Sequence, residues 1–246
     1  MNLLLRGSRR GRQPGDSPEM IAARRRFLAT GAYDPLSNAV AAAVMLDSPE
    51  TVLDVGCGEG RHTRSVAADV VMGVDVAKPG VAAAARADPK GWYAVASAAR
   101  LPLDDGAVDA VMNVFGPVTP AELARVVRPG GVVVAAHPGP GHLAGLRDLV
   151  YTETREHELK PPLRNQGTWF ADEGSVIVQF PLRLDDAALL SDLFTMTPYR
   201  WHAPADISVR IVAAVSPAFE TAAEVHVTRY RRTAASWEVW PGLGRD

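Results

Sequence analysis

Nine residues, VLDVGCGEG at 52–60, constrain what this chain can fold into more than any other stretch. A β-rich run ends at Asp54–Val55, and Gly56, Gly58 and Gly60 follow at alternate positions. Glycines placed this way let the backbone turn tightly and come close to a ligand. The G-x-G-x-G spacing departs from G-x-G-x-x-G, the pyrophosphate fingerprint in which a helix N-terminus faces phosphate. Acids flank the turn at Asp54 and Glu59, and a third, Asp75, ends the next apolar run, VVMGVDV. An acid about twenty residues beyond such a turn suits ribose hydroxyls. The set predicts a ligand with a ribose and positive charge but no phosphate. S-adenosylmethionine fits, with S-adenosylhomocysteine as product. Cys57 reads as a small residue that fits the turn, with no catalytic role.

The strand that feeds the turn is the first of a series. From Thr51 onward, apolar segments (51–56, 70–76, 92–97, 107–115, 131–139) alternate with helical ones (from 61, 78–87, 121–127, 142–157). Nearly all-apolar strands separated by helices predict a parallel sheet covered on both faces. A loop or small insertion near 158–174 follows, then a strand at 176–184, a helix at 185–194 and a last strand at 225–233. In that last strand Val225, Val227 and Arg229 alternate with His226, Thr228 and Tyr230. The expectation is an α/β protein whose main domain, 49–246, holds a mostly parallel seven-stranded sheet with helices on both faces. Ahead of it, 1–15 reads as an irregular basic linker and 16–48 as N-terminal helices. Asp16 is the expected N-cap of the first, with Glu19 three residues on, and the second spans 36–46.

Composition narrows the partners only slightly. A formal net charge of -2 gives no global reason to expect a polyanion. Arginine is uneven, however: Arg6, Arg9, Arg10 and Arg12 lie in the linker and Arg24, Arg25 and Arg26 in the first helix. Arg24 falls within the apolar stripe of Met20, Ile21, Phe27 and Leu28, so it is expected to pair with an acid of the body. Arg25 and Arg26 fall away from that stripe and, with the arginines at 6–12, are candidate phosphate contacts, Arg24 staying in the candidate RNA set beside them, against the plainer reading of solvated arginines. The single cysteine excludes an intrachain disulfide and a cysteine-based zinc site within the chain. No apolar run approaches the ~20 residues of a transmembrane helix, and the front lacks the layout of a secretory signal. A cytoplasmic protein with no membrane partner is the default, and a homodimer is a candidate assembly.

Several stretches are not demanded by the fold. GDSPEMIAARRRFLATGAYDPL, VLDVGCGEG, VASAARLP, ELARVVRPGG, PGPGHLAGLRDLVY and LFTMTPYRW occur in that order. Together they resemble the bacterial 23S ribosomal RNA guanine-N1 methyltransferases, a family that includes actinobacterial enzymes of resistance to macrolides such as tylosin. The resemblance runs from Asn2 to the last strand. It implies a Rossmann-like class I methyltransferase fold, S-adenosylmethionine as cofactor, 23S ribosomal RNA as partner and guanine N1 as methyl acceptor. It places Tyr33 of GAYDPL and His142 of PGPGHL near the methyl donor, with Gly58 and Glu59 as loop contacts. Ser97, after the third strand, is placed to border the adenine, and Pro117 lies in the loop beside the target base. Packing at a helix break stays open for Tyr33, and a helix-start role for His142.

Two departures stand out. The family's loop after the fourth strand tends to read APC, whereas this chain has Gly116, Pro117 and the apolar Val118. The family also begins with a small cysteine/histidine zinc module and a phrase ending GYVNLLL. This chain opens at that phrase, with Met1 in the place of valine. Residues 1–15 then read as the linker from such a module, with coding sequence expected upstream and no zinc expected in the chain as given. Guanine N1 carries a proton at neutral pH, so a base must take it. No residue is assigned to that task; Asp109 and Glu122 read as ordinary surface or cap acids. Two other classes stay in view: a small-molecule methyltransferase using the same cofactor loop, and a non-catalytic RNA- or cofactor-binding relic.

Overall fold

The computed structural model describes residues 1–4, 15–151, 161–163 and 166–234. Seven strands are present among them: β1 Thr51–Val55, β2 Val70–Asp75, β3 Trp92–Val95, β4 Val108–Val114, β5 Val127–Pro138, β6 Phe170–Leu184 and β7 Phe219–Arg232. They form one sheet in the order β3-β2-β1-β4-β5-β7-β6. Every pair from β3 to β5 is parallel, and β7 runs antiparallel between β5 and β6. The helices are α1 Pro18–Ala29, α2 Asp34–Met45, α3 Lys78–Ala87, α4 Pro120–Val126, α5 Ala144–Val150, α6 Ala187–Thr195 and α7 Ile207–Ala214.

Successive strand residues point to opposite faces, and here both faces are apolar. Val52, Ala110, Met112, Val132 and Val134 pack with Phe27 and Leu28 of α1 and Leu36 and Val40 of α2. Their neighbours Leu53, Val55, Val111, Val133 and Ala135 pack with Leu123 and Val126 of α4. Two-sided burial is what made these strands read as unbroken apolar runs.

The structure moves several boundaries. Ser17, not Asp16, caps α1: its hydroxyl accepts the Met20 amide at 3.2 Å. Pro18 is preorganised for the first helical position, which makes its predecessor the cap. The helix expected from 61 shrinks to one 3-10 turn, Thr63–Ser65. There the Thr63 hydroxyl donates to Asp54 at 2.6 Å and the Ser65 hydroxyl to the His62 carbonyl at 2.6 Å, local bonds that compete with helix propagation. β6 starts at Phe170 rather than 176 and β7 at Phe219 rather than 225, because the two pair from Phe170↔Arg232 to Leu184↔Phe219, with one register shift between Asp172 and Gly174. The polar stretch ADEGS hides its strand character, since pairing rather than propensity holds it. Helix α7 has no counterpart in the sequence reading, although Ile207, Ile211 and Ala214 recur at helical spacing and pack on the core. Met1–Leu4 are not irregular: the Leu3 amide donates to the Val95 carbonyl at 2.8 Å and the Val95 amide to the Met1 carbonyl at 2.7 Å, extending the edge at β3. The arginines at 6–12 and the predicted helix beyond 151 lie outside the described residues. No helix among the described residues is long and apolar enough to cross a membrane.

Candidate active site

Ligands of open α/β sheets bind outside the carboxyl ends of the strands. At the end of β1 the chain reverses through Gly56 (φ 85°), Gly58 (φ 53°) and Gly60 (φ 78°), left-handed conformations that favour glycine. A Cβ on Gly60 would stand 2.9 Å from the Cβ of Ala84 in α3. The Gly56 and Cys57 amides both donate to the Val74 carbonyl, pinning the turn against β2.

The three acids converge on this turn. Asp75 accepts the Gly58 amide at 3.0 Å and the Ala77 amide at 2.7 Å, so the carboxylate and the turn fix each other. Asp54 is buried beneath them; one oxygen accepts the Thr63 hydroxyl and the other has no partner among the described residues. Burial pushes its pKa up to about 7. Glu59 is buried as well, and burial raises its pKa while Arg24 opposes the rise. Burial, and then the three carboxylates, hold the Cys57 pKa well above its ordinary range, which favours the thiol over the thiolate.

The other expected site residues divide. Arg24 pairs not with an acid of the body but with Asp16, just ahead of its own helix, at 2.6 Å, and its guanidinium lies 3.3 Å from where a Cβ on Gly58 would be. It therefore belongs to the glycine turn rather than to an outward arginine face. Arg25 is exposed. Arg26 is also exposed, but both oxygens of Asp192 in α6 hold its guanidinium. Tyr33 is buried in the core, edge-on to Phe27 (6.0 Å) and Phe180 (5.2 Å), the packing arrangement left open for it. The Ser97 hydroxyl accepts the Ala99 amide at 3.2 Å, one residue beyond Ala96, whose amide donates to the Asp75 carbonyl. His142 precedes α5, with Nδ1 3.0 Å from the Glu224 carbonyl of β7. Asp109 accepts the Glu50 and Thr51 amides and Arg128, and Glu122 accepts the Leu101 amide and Arg125; neither acid faces the glycine turn.

A second half of the site was legible in the sequence only as the loop at 116–118 that the resemblance set beside the target base. Asn113, Phe115, Gly116, Val118, Ala136, His137, Pro138 and Pro162 line a recess of about 340 Å³ at the carboxyl ends of β4 and β5. The buried Asn113 amide donates to the Val55 carbonyl at 2.7 Å and to the Pro117 carbonyl at 3.4 Å. Gly116 is needed here, because a Cβ on it would stand 2.6 Å from Asn113 Nδ2. A Cβ on Gly56 would lie 3.4 Å from the Gly116 Cα, so the turn and the recess share a wall. Phe115 is held at φ 57°, half exposed, with its ring 5.5 Å from that of His142. The available signal was polar: an asparagine and a histidine ending otherwise apolar strands.

With its following helix reduced to a 3-10 turn, the glycine loop offers no long helix N-terminus to a phosphate, and its three carboxylates favour a cation. On this strand order, those features define the S-adenosylmethionine-dependent methyltransferase class. Residues 53–135 match the family described as Methyltransferase domain. The chain belongs to the 23S rRNA (guanine-N1)-methyltransferases. It is 34% identical over 223 residues to the 23S rRNA (guanine(748)-N(1))-methyltransferase of Streptomyces fradiae, a match covering 87% of this chain and 79% of that protein. It is 35% identical over 249 residues to a protein of Micromonospora griseorubida assigned guanine-N1 methylation of 23S rRNA, covering 90% and 83%. Among solved structures, the cyclase SpnF superposes with TM-score 0.54 at 19% identity over 82% of both chains. The YcgJ protein of Bacillus subtilis does so with TM-score 0.50 at 15% identity, over 75% of this chain and 92% of that one. These two share the fold alone, and the cyclase illustrates that the fold does not set the reaction.

Proposed function

We infer that this chain transfers the methyl group of S-adenosylmethionine to N1 of a guanine in 23S ribosomal RNA. The observation that carries this reading is the wall shared by the acid-lined turn and the recess, formed by Gly56, Asn113 and Gly116. A donor lying on the turn and a base entering the recess would meet across it. The turn fits the cofactor by its chemistry: backbone that a Cβ would obstruct, Asp75 for ribose hydroxyls, and Asp54 and Glu59 as charge partners for a cation. When bound, the cofactor supplies an electrophilic methyl on a sulfonium. The chain's own residues supply proximity and alignment, effects worth several kcal/mol when a bimolecular step becomes effectively unimolecular.

On the RNA side, N1 lies on the Watson–Crick edge, so the target guanine must be unpaired or extruded. The half-exposed Phe115 ring offers a stacking surface at the recess. Arg25 is the arginine of α1 best placed for phosphate, since Arg24 serves the turn and Arg26 is taken by Asp192. Methylation of transcribed 23S rRNA fragments, with mass mapping of the modified base, tests the reading. N1-methylguanine confirms it; modification of another atom, or transfer only to small molecules with salt-insensitive binding, refutes it.

A further inference from the structure

We propose that His137 is the catalytic base that takes the N1 proton of the target guanine. This rests on the reading of the chain as a guanine-N1 methyltransferase. His137 stands at the carboxyl end of β5, 91% buried by its 9% relative exposure, and lines the recess. Neither ring nitrogen makes a well-formed hydrogen bond among the described residues, the nearest acceptor being the Ala135 backbone, which favours the charged ring only weakly against burial. An imidazole shielded from water with both nitrogens unpaired is costly unless something else completes it. The register places it well: Asn113 of β4 pairs with Ala135, two residues before His137 on the same face of β5.

The groups around it leave the task to His137. From β4, the Asn113 amide is committed to the Val55 and Pro117 carbonyls. From the loops, Phe115 and Pro162 are apolar walls. From β7, His226 is the paired residue, its ring 5.7 Å from that of His137, with Nε2 3.8 Å from a Glu224 carboxylate oxygen. Burial first, and then His226, hold the His137 pKa below the ordinary histidine value, so the ring is neutral and able to accept a proton at neutral pH. In the step, the ring, whose nitrogens are closed to solvent, turns toward the recess and one imidazole nitrogen binds the N1 proton. The N1–CH₃ bond forms as the S–CH₃ bond breaks, and that electron pair stays on sulfur. The imidazolium then returns its proton to solvent, and Glu224, behind His226, favours the transient positive charge.

The test uses the full chain, methyl-labelled S-adenosylmethionine and a 23S rRNA transcript. General-base catalysis contributes about 10²–10⁴-fold, so His137→Gln should lose at least ~100-fold in kcat while retaining cofactor affinity, RNA affinity and thermal midpoint. Wild-type kcat/KM should fall as pH drops through the histidine ionisation, and the variant should lose that inflection. A transcript carrying 6-thioguanine, whose N1 is more acidic, should narrow the deficit. The His137 imidazole resonance, identified by its absence in the variant, should shift when RNA binds. His137→Asn gives a second variant should the first fail to fold. A wild type that methylates N1, with either folded variant within threefold of it or with no acid-side inflection, overturns the role of His137 alone. A wild type that leaves N1 unmodified overturns the assigned reaction and this role with it.

Discussion

The two halves of the carboxyl rim differ in charge and in completeness. At β1–β2, three carboxylates crowd a glycine turn, and Asp75 is held by two amides. At β4–β5 the lining is an amide, an imidazole and apolar rings, and His137 has no partner among the described residues. The contrast teaches where each ligand belongs. A cation suits the acidic half, which is already tied together. A neutral heterocycle suits the other, whose unsatisfied polar atoms mark where substrate atoms would complete it.

Substitutions that strike one half should leave the other working. Asp75→Ala should have the largest effect. It deletes two charge-assisted bonds, each worth roughly 1.5–3 kcal/mol, together with the candidate ribose ligand. Cofactor affinity measured by calorimetry should fall 100-fold or more with RNA affinity unchanged; loss of both would mean the halves are not separable.

Asp54 comes next. Its folded pKa, about 7, lies above the ordinary carboxylate value. Its contribution to stability is therefore complete at acid pH below the unfolded value and is lost as pH rises through about 7. At about 1.4 kcal/mol per unit, the change amounts to roughly 4 kcal/mol. Thermal midpoints followed from pH 4 to 8 should decline for the wild type and flatten for Asp54→Asn, and a saturating cationic cofactor should shrink the wild-type decline. Equal slopes in the two proteins would show that Asp54 is not ionising beneath the turn.

Phe115→Gly sharpens the RNA side. It relieves a positive φ, so stability should hold or rise. Removal of a stacking ring should weaken RNA binding by about 1–3 kcal/mol. Unchanged RNA affinity would remove Phe115 from the interface. Arg25→Ala should have the smallest effect, a severalfold loss of affinity with the salt slope reduced by about 1. An unchanged slope would make Arg25 a solvated residue.

The acidic half was readable because its signals are local. The glycines, Asp54, Glu59 and Asp75 lie within two strand ends, and α3 appeared at its predicted bounds, Lys78–Ala87. Of the neutral half only the loop at 116–118 was readable, through the resemblance; its polar lining was not, because Asn113 reaches back to Val55, Phe115 meets His142, and His137 faces His226. None of those pairs is close in sequence. The same limit explains Arg24: its place in an apolar stripe announced a partner, but only packing of α1 against the turn set it over Gly58.

The sequence by itself determined the parallel alternation of strands and helices, the turn that must be glycine, and the acids around it, because periodicity and backbone conformation are properties of neighbouring residues. The tertiary structure alone decided that β6 and β7 lengthen by pairing, that Tyr33 enters the core, and that a recess with an unpaired histidine opens beside the turn. Those outcomes depend on strand register and side-chain contact across the sheet, which distant segments settle only when they meet.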